Sequence, residues 1–195
     1  MTTTTAEATQ TSLTGRWAID RAHSRLGFVA RHAMVTKVRG EFKEFEGELY
    51  IDGEDPTKSS AIVNVKVASV DTANAQRDEH LRTNDFFEAA KFPIMTYKSS
   101  GAERVDDTHY RLSGDLTLHG VTRPVTFDIE FTGQATDPFG NARIGFEGTA
   151  VLNRKDFGIS WNAALEAGGV LVSEKVTVEL DISAVKVSDP ATVAA

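Results

Sequence analysis

Period-two alternation of apolar and polar residues constrains this chain more than any other feature. Between Tyr110 and Leu118, Tyr110, Leu112, Gly114, Leu116 and Leu118 share one face, and Arg111, Ser113, Asp115 and Thr117 share the other. Val125, Phe127, Ile129 and Phe131 alternate with Thr126, Asp128, Glu130 and Thr132. Ile144, Phe146, Gly148, Ala150 and Leu152 oppose Arg143, Glu147, Thr149 and Asn153 in the same way. Val176, Val178, Leu180 and Ile182 oppose Thr177, Glu179, Asp181 and Ser183. Successive side chains of a strand point to opposite faces, so each segment needs one side covered and leaves the other to water.

Earlier segments carry the pattern less cleanly. Leu26, Phe28, Ala30 and His32 share a face. Phe42 and the set Phe45, Gly47, Leu49 and Ile51 differ in parity, which predicts a bulge near Lys43-Glu44. Val63, Val65 and Val67 oppose Asn64 and Lys66, and Pro93 opens a strand that continues through Met95 and Tyr97. Turn residues separate the segments at Asp52-Gly53 to Pro56, Gly101 to Asp107, His119 to Pro124, Asp137 to Gly140, and Ala167-Gly168-Gly169. The result is an all-β chain of eight or nine antiparallel strands. A closed barrel buries every apolar face and leaves no edge; a two-sheet sandwich is the alternative. With 195 residues, the chain suits one domain over 15–187, large enough to bury roughly 70% of its unfolded surface. The polar stretches 1–14 and 188–195 are expected to be disordered tails.

Only Ala73 to Ala90 departs from period two. Asp71-Thr72 is expected to start a helix there, and Asn84-Asp85 to cap a second short turn carrying Phe86 and Phe87. Helical spacing puts Arg77, His80 and Leu81 on adjoining turns of one face. A lone charged helix ending in paired aromatics, inside an all-β pattern, reads as a lid or plug.

Composition excludes several function classes. A formal charge of −7 argues against nucleic acid, whose phosphates need clustered Lys and Arg. Cysteine is absent, which removes disulfides and thiolate chemistry. Met1 to Thr14 has neither the basic cluster nor the apolar run of a secretory signal, so a cytoplasmic location is expected. No apolar run approaches the roughly 20 residues of a membrane helix, and stable membrane insertion is not expected. There is no Gly-x-Ser-x-Gly elbow, phosphate-cradling loop, dinucleotide fingerprint or His-x-x-x-His spacing, so no catalytic residue, metal or cofactor is assigned.

The polar candidates each carry two readings. His32 follows the inward parity of Leu26, Phe28 and Ala30; it is either a head-group contact or a rim histidine bonded to backbone or water. Arg77 and His80 either recognise a polar or anionic head group or tie a surface helix down. Phe86, Phe87 and Phe92 either close a pocket mouth or anchor the helix. His119 is expected to be solvent exposed. The turn Asn153 to Gly158 either bears on ligand specificity or is satisfied locally by Asp156 and a positive φ at Gly158.

Taken in order, a series of short motifs resembles the YceI-like family of bacterial lipocalin-like, polyisoprenoid-binding proteins. The series begins with Trp17-Ala18-Ile19-Asp20, His23-Ser24, Phe28, His32, and Val38-Arg39-Gly40-Glu41-Phe42 with Phe45-Glu46-Gly47. It continues through Ser69-Val70-Asp71-Thr72, Arg77-Asp78-Glu79-His80-Leu81, Asp85-Phe86-Phe87 and Lys91-Phe92-Pro93. It ends with Gly114 to Thr122 and Arg154-Lys155-Asp156-Phe157-Gly158. The resemblance implies an extended eight-stranded antiparallel lipocalin-like barrel with a short helical insertion, a long lipid in its interior, and a homodimer.

On this reading Phe28, Phe42, Phe45, Tyr97, Leu112, Leu116, Phe127, Ile129, Phe146 and Trp161 line the ligand. Leu81, Phe86 and Phe87 close over it, and His32, Arg77 and His80 choose its head group. The expected function is non-catalytic binding, transport or sequestration of a polyisoprenoid, isoprenoid quinone or fatty amide. An enzyme using a pocket histidine as acid–base, and a stress-related interaction scaffold, are the alternatives.

Overall fold

The computed structural model describes residues 13–188. The cleanly alternating second half folds as one continuous meander of long strands. These are β7 (Ile94–Arg104), β8 (His109–Leu118), β9 (Val121–Thr136), β10 (Ala142–Asn153) and β11 (Lys175–Lys186), each antiparallel to the next. The less regular first half gives six shorter segments: β1 (Gly15–Ile19), β2 (Arg25–His32), β3 (Thr36–Phe42), β4 (Phe45–Ile51), β5 (Ser60–Lys66) and β6 (Val70–Asp71). They pair off as interrupted strands. β1 and β2 lie in succession along β11; β4 and β3 lie along β1 and β2; β5 and β6 lie along β4 and β3.

The ring β1-β4-β5-β7-β8-β9-β10-β11 returns to β1 through Trp17↔Lys186 and Ile19↔Ala184, so the sheet is a closed, eight-stranded antiparallel barrel. Closure excludes the sandwich, because every central ladder finds a partner on both sides.

The three interruptions are neighbours in space. The first occupies Asp20 to Ser24, the second Lys43-Glu44 and the third Val67 to Ser69. The parity change read from Phe42 and Phe45 marks the second. Side chains replace the missing ladder bonds there: Ser24 Oγ donates to the Ser183 carbonyl at 3.1 Å and accepts from the Ser183 amide at 2.9 Å. Ser69 Oγ accepts from the Glu44 amide at 2.9 Å. On the far side of β11 the line continues, where β9 and β10 slip register at Gly145-Phe146.

Helix α1 (Ala75–Arg82) sits across one end of the barrel, with Asn74 as its N-cap accepting from the Arg77 amide at 3.0 Å. The helix therefore starts later than Asp71-Thr72, because Val70 and Asp71 are taken by the short β6 pairing with β3. The second turn expected at Asn84-Asp85 is a run of tight turns instead. The Phe87 amide reaches back to the Leu81 carbonyl at 3.0 Å, and Glu88 takes a positive φ. The β8–β9 turn and the β10–β11 connection crowd the same end. The β4–β5, β7–β8 and β9–β10 loops lie at the other.

Of the two expected tails, residues 1–12 and 189–195 lie outside the described residues. Leu13 and Thr14, which were assigned to the first tail, pack on the barrel: the Leu13 carbonyl accepts from Trp17 Nε1 at 2.9 Å, and Thr14 Oγ1 accepts from the Gly53 amide at 2.9 Å. Among the described residues no helix is long and apolar enough to cross a membrane.

Candidate ligand-binding cavity

The inward faces of the strands do not meet at the barrel axis. They leave a cavity of about 340 Å³, within the range of small-molecule sites. Its wall is almost wholly apolar. Phe28 on β2, Phe42 on β3, Tyr97 on β7, Leu112 and Leu116 on β8, Phe127 and Ile129 on β9, and Phe146 on β10 all line it, as their parity predicts. Leu81 from α1, with Phe86 and Phe87 from the turns after it, closes the helix end. The Phe87 ring meets Phe42 edge-on, with centroids 5.7 Å apart. Tyr97 spends its hydroxyl on the wall: it donates to the Leu112 carbonyl at 3.0 Å, with the Val125 carbonyl at 3.2 Å, and burial pushes the phenol above its ordinary pKa.

Several glycines set how closely the wall can pack. A Cβ at Gly40 would overlap the Phe28 ring and the Thr72 methyl, and one at Gly114 would overlap the Tyr97 ring and the Ser99 backbone. Two of the aromatic lining rings therefore approach the backbone at positions where a side chain would have to displace them.

Five of the residues read as ligand contacts stand elsewhere. His32 is the last residue of β2, is exposed, and bridges to Val172; its inward parity has no interior to face beyond the rim. Phe45 opens β4 just after an interruption and is buried within the wall against Phe42, Val65 and Val70. Arg77 donates to Thr72 Oγ1 at 2.7 Å and to the Thr72 carbonyl at 2.8 Å, beside Asp78, which accepts from the same Thr72 amide and hydroxyl. His80 Nε2 pairs with Asp85 Oδ2 at 2.8 Å. Trp161 and His80 stack edge-on, at 4.8 Å, outside Phe86, which packs against both at 5.2 and 5.0 Å. They form an outer aromatic layer whose only member on the cavity is Phe86.

His119, expected in solvent, is also placed differently: its side chain is 16% exposed. Nδ1 donates to the Phe157 carbonyl at 3.1 Å, the ring lies 4.9 Å from Phe92, and Nε2 faces Glu88 Oε2 at 3.5 Å. It ties the β8–β9 turn to the helix-end closure.

The YceI-like domain family matches residues 17–184. The chain belongs to the YceI-like family. A UPF0312 protein of Vibrio cholerae serotype O1 is 40% identical over 138 residues, covering 71% of this chain and 73% of that protein. The crystal structure of the Campylobacter jejuni YCEI protein superposes with a TM-score of 0.71 at 28% identity, over 81% of this chain and 90% of that one. A polyisoprenoid binding domain from Saccharophagus degradans shares the fold at a TM-score of 0.67 and 18% identity, over 88% of this chain and 98% of that one.

In this YceI-like barrel two charged residues are among those that line the cavity, one near each end. Asp52 lies in the β4–β5 loop, where its Oδ1 caps the amides of Glu54 and Asp55 at 3.0 and 2.8 Å. Arg154 begins the 3-10 turn Arg154–Phe157 at the helix end and is 6% exposed. Its Nε donates to the Ser173 carbonyl at 2.9 Å, Nη1 to Ile159 at 2.8 Å and Nη2 to Val172 at 3.4 Å; burial pulls its pKa down. The turn itself is capped by Asn153, which accepts from the Lys155 amide at 3.0 Å, rather than by Asp156; Gly158 closes it at φ +75° as expected. Arg154 and the lining residues Phe157, Ile159 and Val172 sit in a connection with no period, so alternation could not find them. Leu26, Val65, Leu118 and Leu180 also line the cavity, and the same alternation that placed their neighbours carries them.

Proposed function

We propose that this YceI-like protein binds a long apolar or amphipathic lipid inside its barrel and carries or sequesters it without chemical change. The observation that supports this most directly is the continuous apolar lining from Phe86 and Phe87 at the helix end to Leu13, Ile51 and Pro56 at the other. Burying a methylene is worth about 0.8 kcal/mol. About ten such groups would supply ~8 kcal/mol before the costs of association and chain ordering. A polyisoprenoid, an isoprenoid quinone and a fatty amide all present such a tail, and the fold is shared with a domain described as polyisoprenoid binding. The acid–base alternative loses its geometric support, since neither His32 nor His80 lines the cavity.

The test is native mass spectrometry of the protein as purified, followed by delipidation and titration with lipids of graded chain length. A co-purified apolar adduct, and affinity rising with chain length, are expected. Affinity independent of chain length would sink the proposal.

A further inference from the structure

The cavity wall holds a buried positive charge that the wall itself does not neutralise. Among the described residues, no carboxylate lies within ion-pair distance of Arg154; Glu174, the acid that acts on it from further away, is paired with Lys155. Its three partners are carbonyls, from Ile159, Val172 and Ser173. Carbonyls satisfy N–H groups but bring no formal charge, and burying an unpaired ion is costly. Tying three carbonyls together needs only hydrogens, which a neutral donor supplies without that cost. The charge is what remains to be explained.

We propose that Arg154 is the head-group site of the cavity, and that the occupant carries an anionic oxygen head, a carboxylate or a phosphate, at the helix end with its tail toward the β4–β5 loop. The inference rests on the cavity being a lipid site and adds the ligand's charge and direction, which sets aside the neutral quinone and amide heads. Three features support it. The guanidinium matches the planar geometry of a carboxylate or phosphate, and a charge-assisted contact there would form out of water. Asp52 marks the opposite end with the wrong sign for such a head. Phe86, Phe87 and Leu81 line the helix end, so an anion there would sit against an apolar wall and the apolar tail would fill the remaining length.

The experiment titrates delipidated wild-type protein with palmitic acid, hexadecyl phosphate and 1-hexadecanol, which share one tail and differ only in the head. At a pH where the first two are ionised, at least one should bind about tenfold or more tighter than the alcohol; which of the two does so separates a carboxylate site from a phosphate site. In Arg154→Met the preference for the anionic lipids over hexadecanol should vanish. Direction is read separately in Trp161→Phe, where Trp17, packed behind the lining residues Ile144 and Phe146, is the remaining indole. A nitroxide at carbon 16 of stearic acid should quench it more than one at carbon 5.

Equal wild-type affinity for all three lipids, or the reverse quenching order, overturns the inference and leaves lipid binding intact. No binding of any of the three overturns both. Should Arg154→Met fail to fold, the wild-type comparison and the quenching order still decide.

Discussion

Asp20 holds the first interruption of the barrel wall together. Its carboxylate accepts from Arg143 Nη1 at 2.7 Å, His23 Nδ1 at 2.8 Å and the Ala22 amide at 3.0 Å. The Arg143 bond, and then the His23 bond, pull its pKa from 3.8 down to about 2. A carboxyl whose pKa is lower folded than unfolded stabilises the fold fully above the unfolded value. That contribution is lost progressively as pH falls from the ordinary value through the folded one, and is gone only below both. Asp20→Asn should therefore cost about 1 kcal/mol at pH 7 and a small fraction of that at pH 2, which paired denaturant melts at the two pH values would measure. The misplaced head-group residues are instructive at the same scale. Arg77 and His80 found partners five residues away, Thr72 and Asp85, and a polar group with a local partner has no reason to face an apolar cavity. Those partners were present in the sequence. Helical spacing alone could not say which would win.

Helix α1 has Leu81 as its only large apolar residue, so it cannot be held by an apolar face. It is held by its Asn74 cap, by Asp78 on Thr72, and by Arg82, which donates to the Ala68 and Val70 carbonyls at 2.8 and 3.1 Å. The apolar anchorage comes from Phe86 and Phe87 beyond its end. An element with so few buried apolar contacts opens at low cost. Phe87→Ala, which removes a lining ring and its contact with Phe42, should cost about 3 kcal/mol in stability and speed release of a bound fluorescent lipid by roughly tenfold or more, read by stopped-flow displacement. An unchanged release rate would mean that the ligand leaves by the other end. The existence of this insertion was evident from its break in alternation. Its start was not, because Asp71, Thr72 and Asn74 are all good caps and the choice fell to a strand pairing distant in sequence.

For the whole molecule, alternation required one covered face on every strand, which a barrel or a two-sheet sandwich could provide; the β1–β11 pairing that decides between them is not written in any single segment. The second half followed its pattern almost residue for residue. The first half did not, because its strands are interrupted and interrupted strands change parity. A barrel built around a cavity forgoes packing that an occupant restores. Lipid bound at a hundred times its dissociation constant should stabilise the fold by about 2.7 kcal/mol, raising Tm by roughly 5–10 °C over the delipidated protein; calorimetry before and after extraction would show it. Hydrogen exchange should likewise find the amides at 20–24, 43–44 and 67–69 faster than those of the β8–β9 ladder, which runs in register from Tyr110↔Ile129 to Leu118↔Val121.

Those three gaps, with the slipped register at Gly145, lie along one line around the wall. A cylinder scored in this way does not swell evenly. Where ladder bonds are missing it yields first, so its softest section is the crease between the rims.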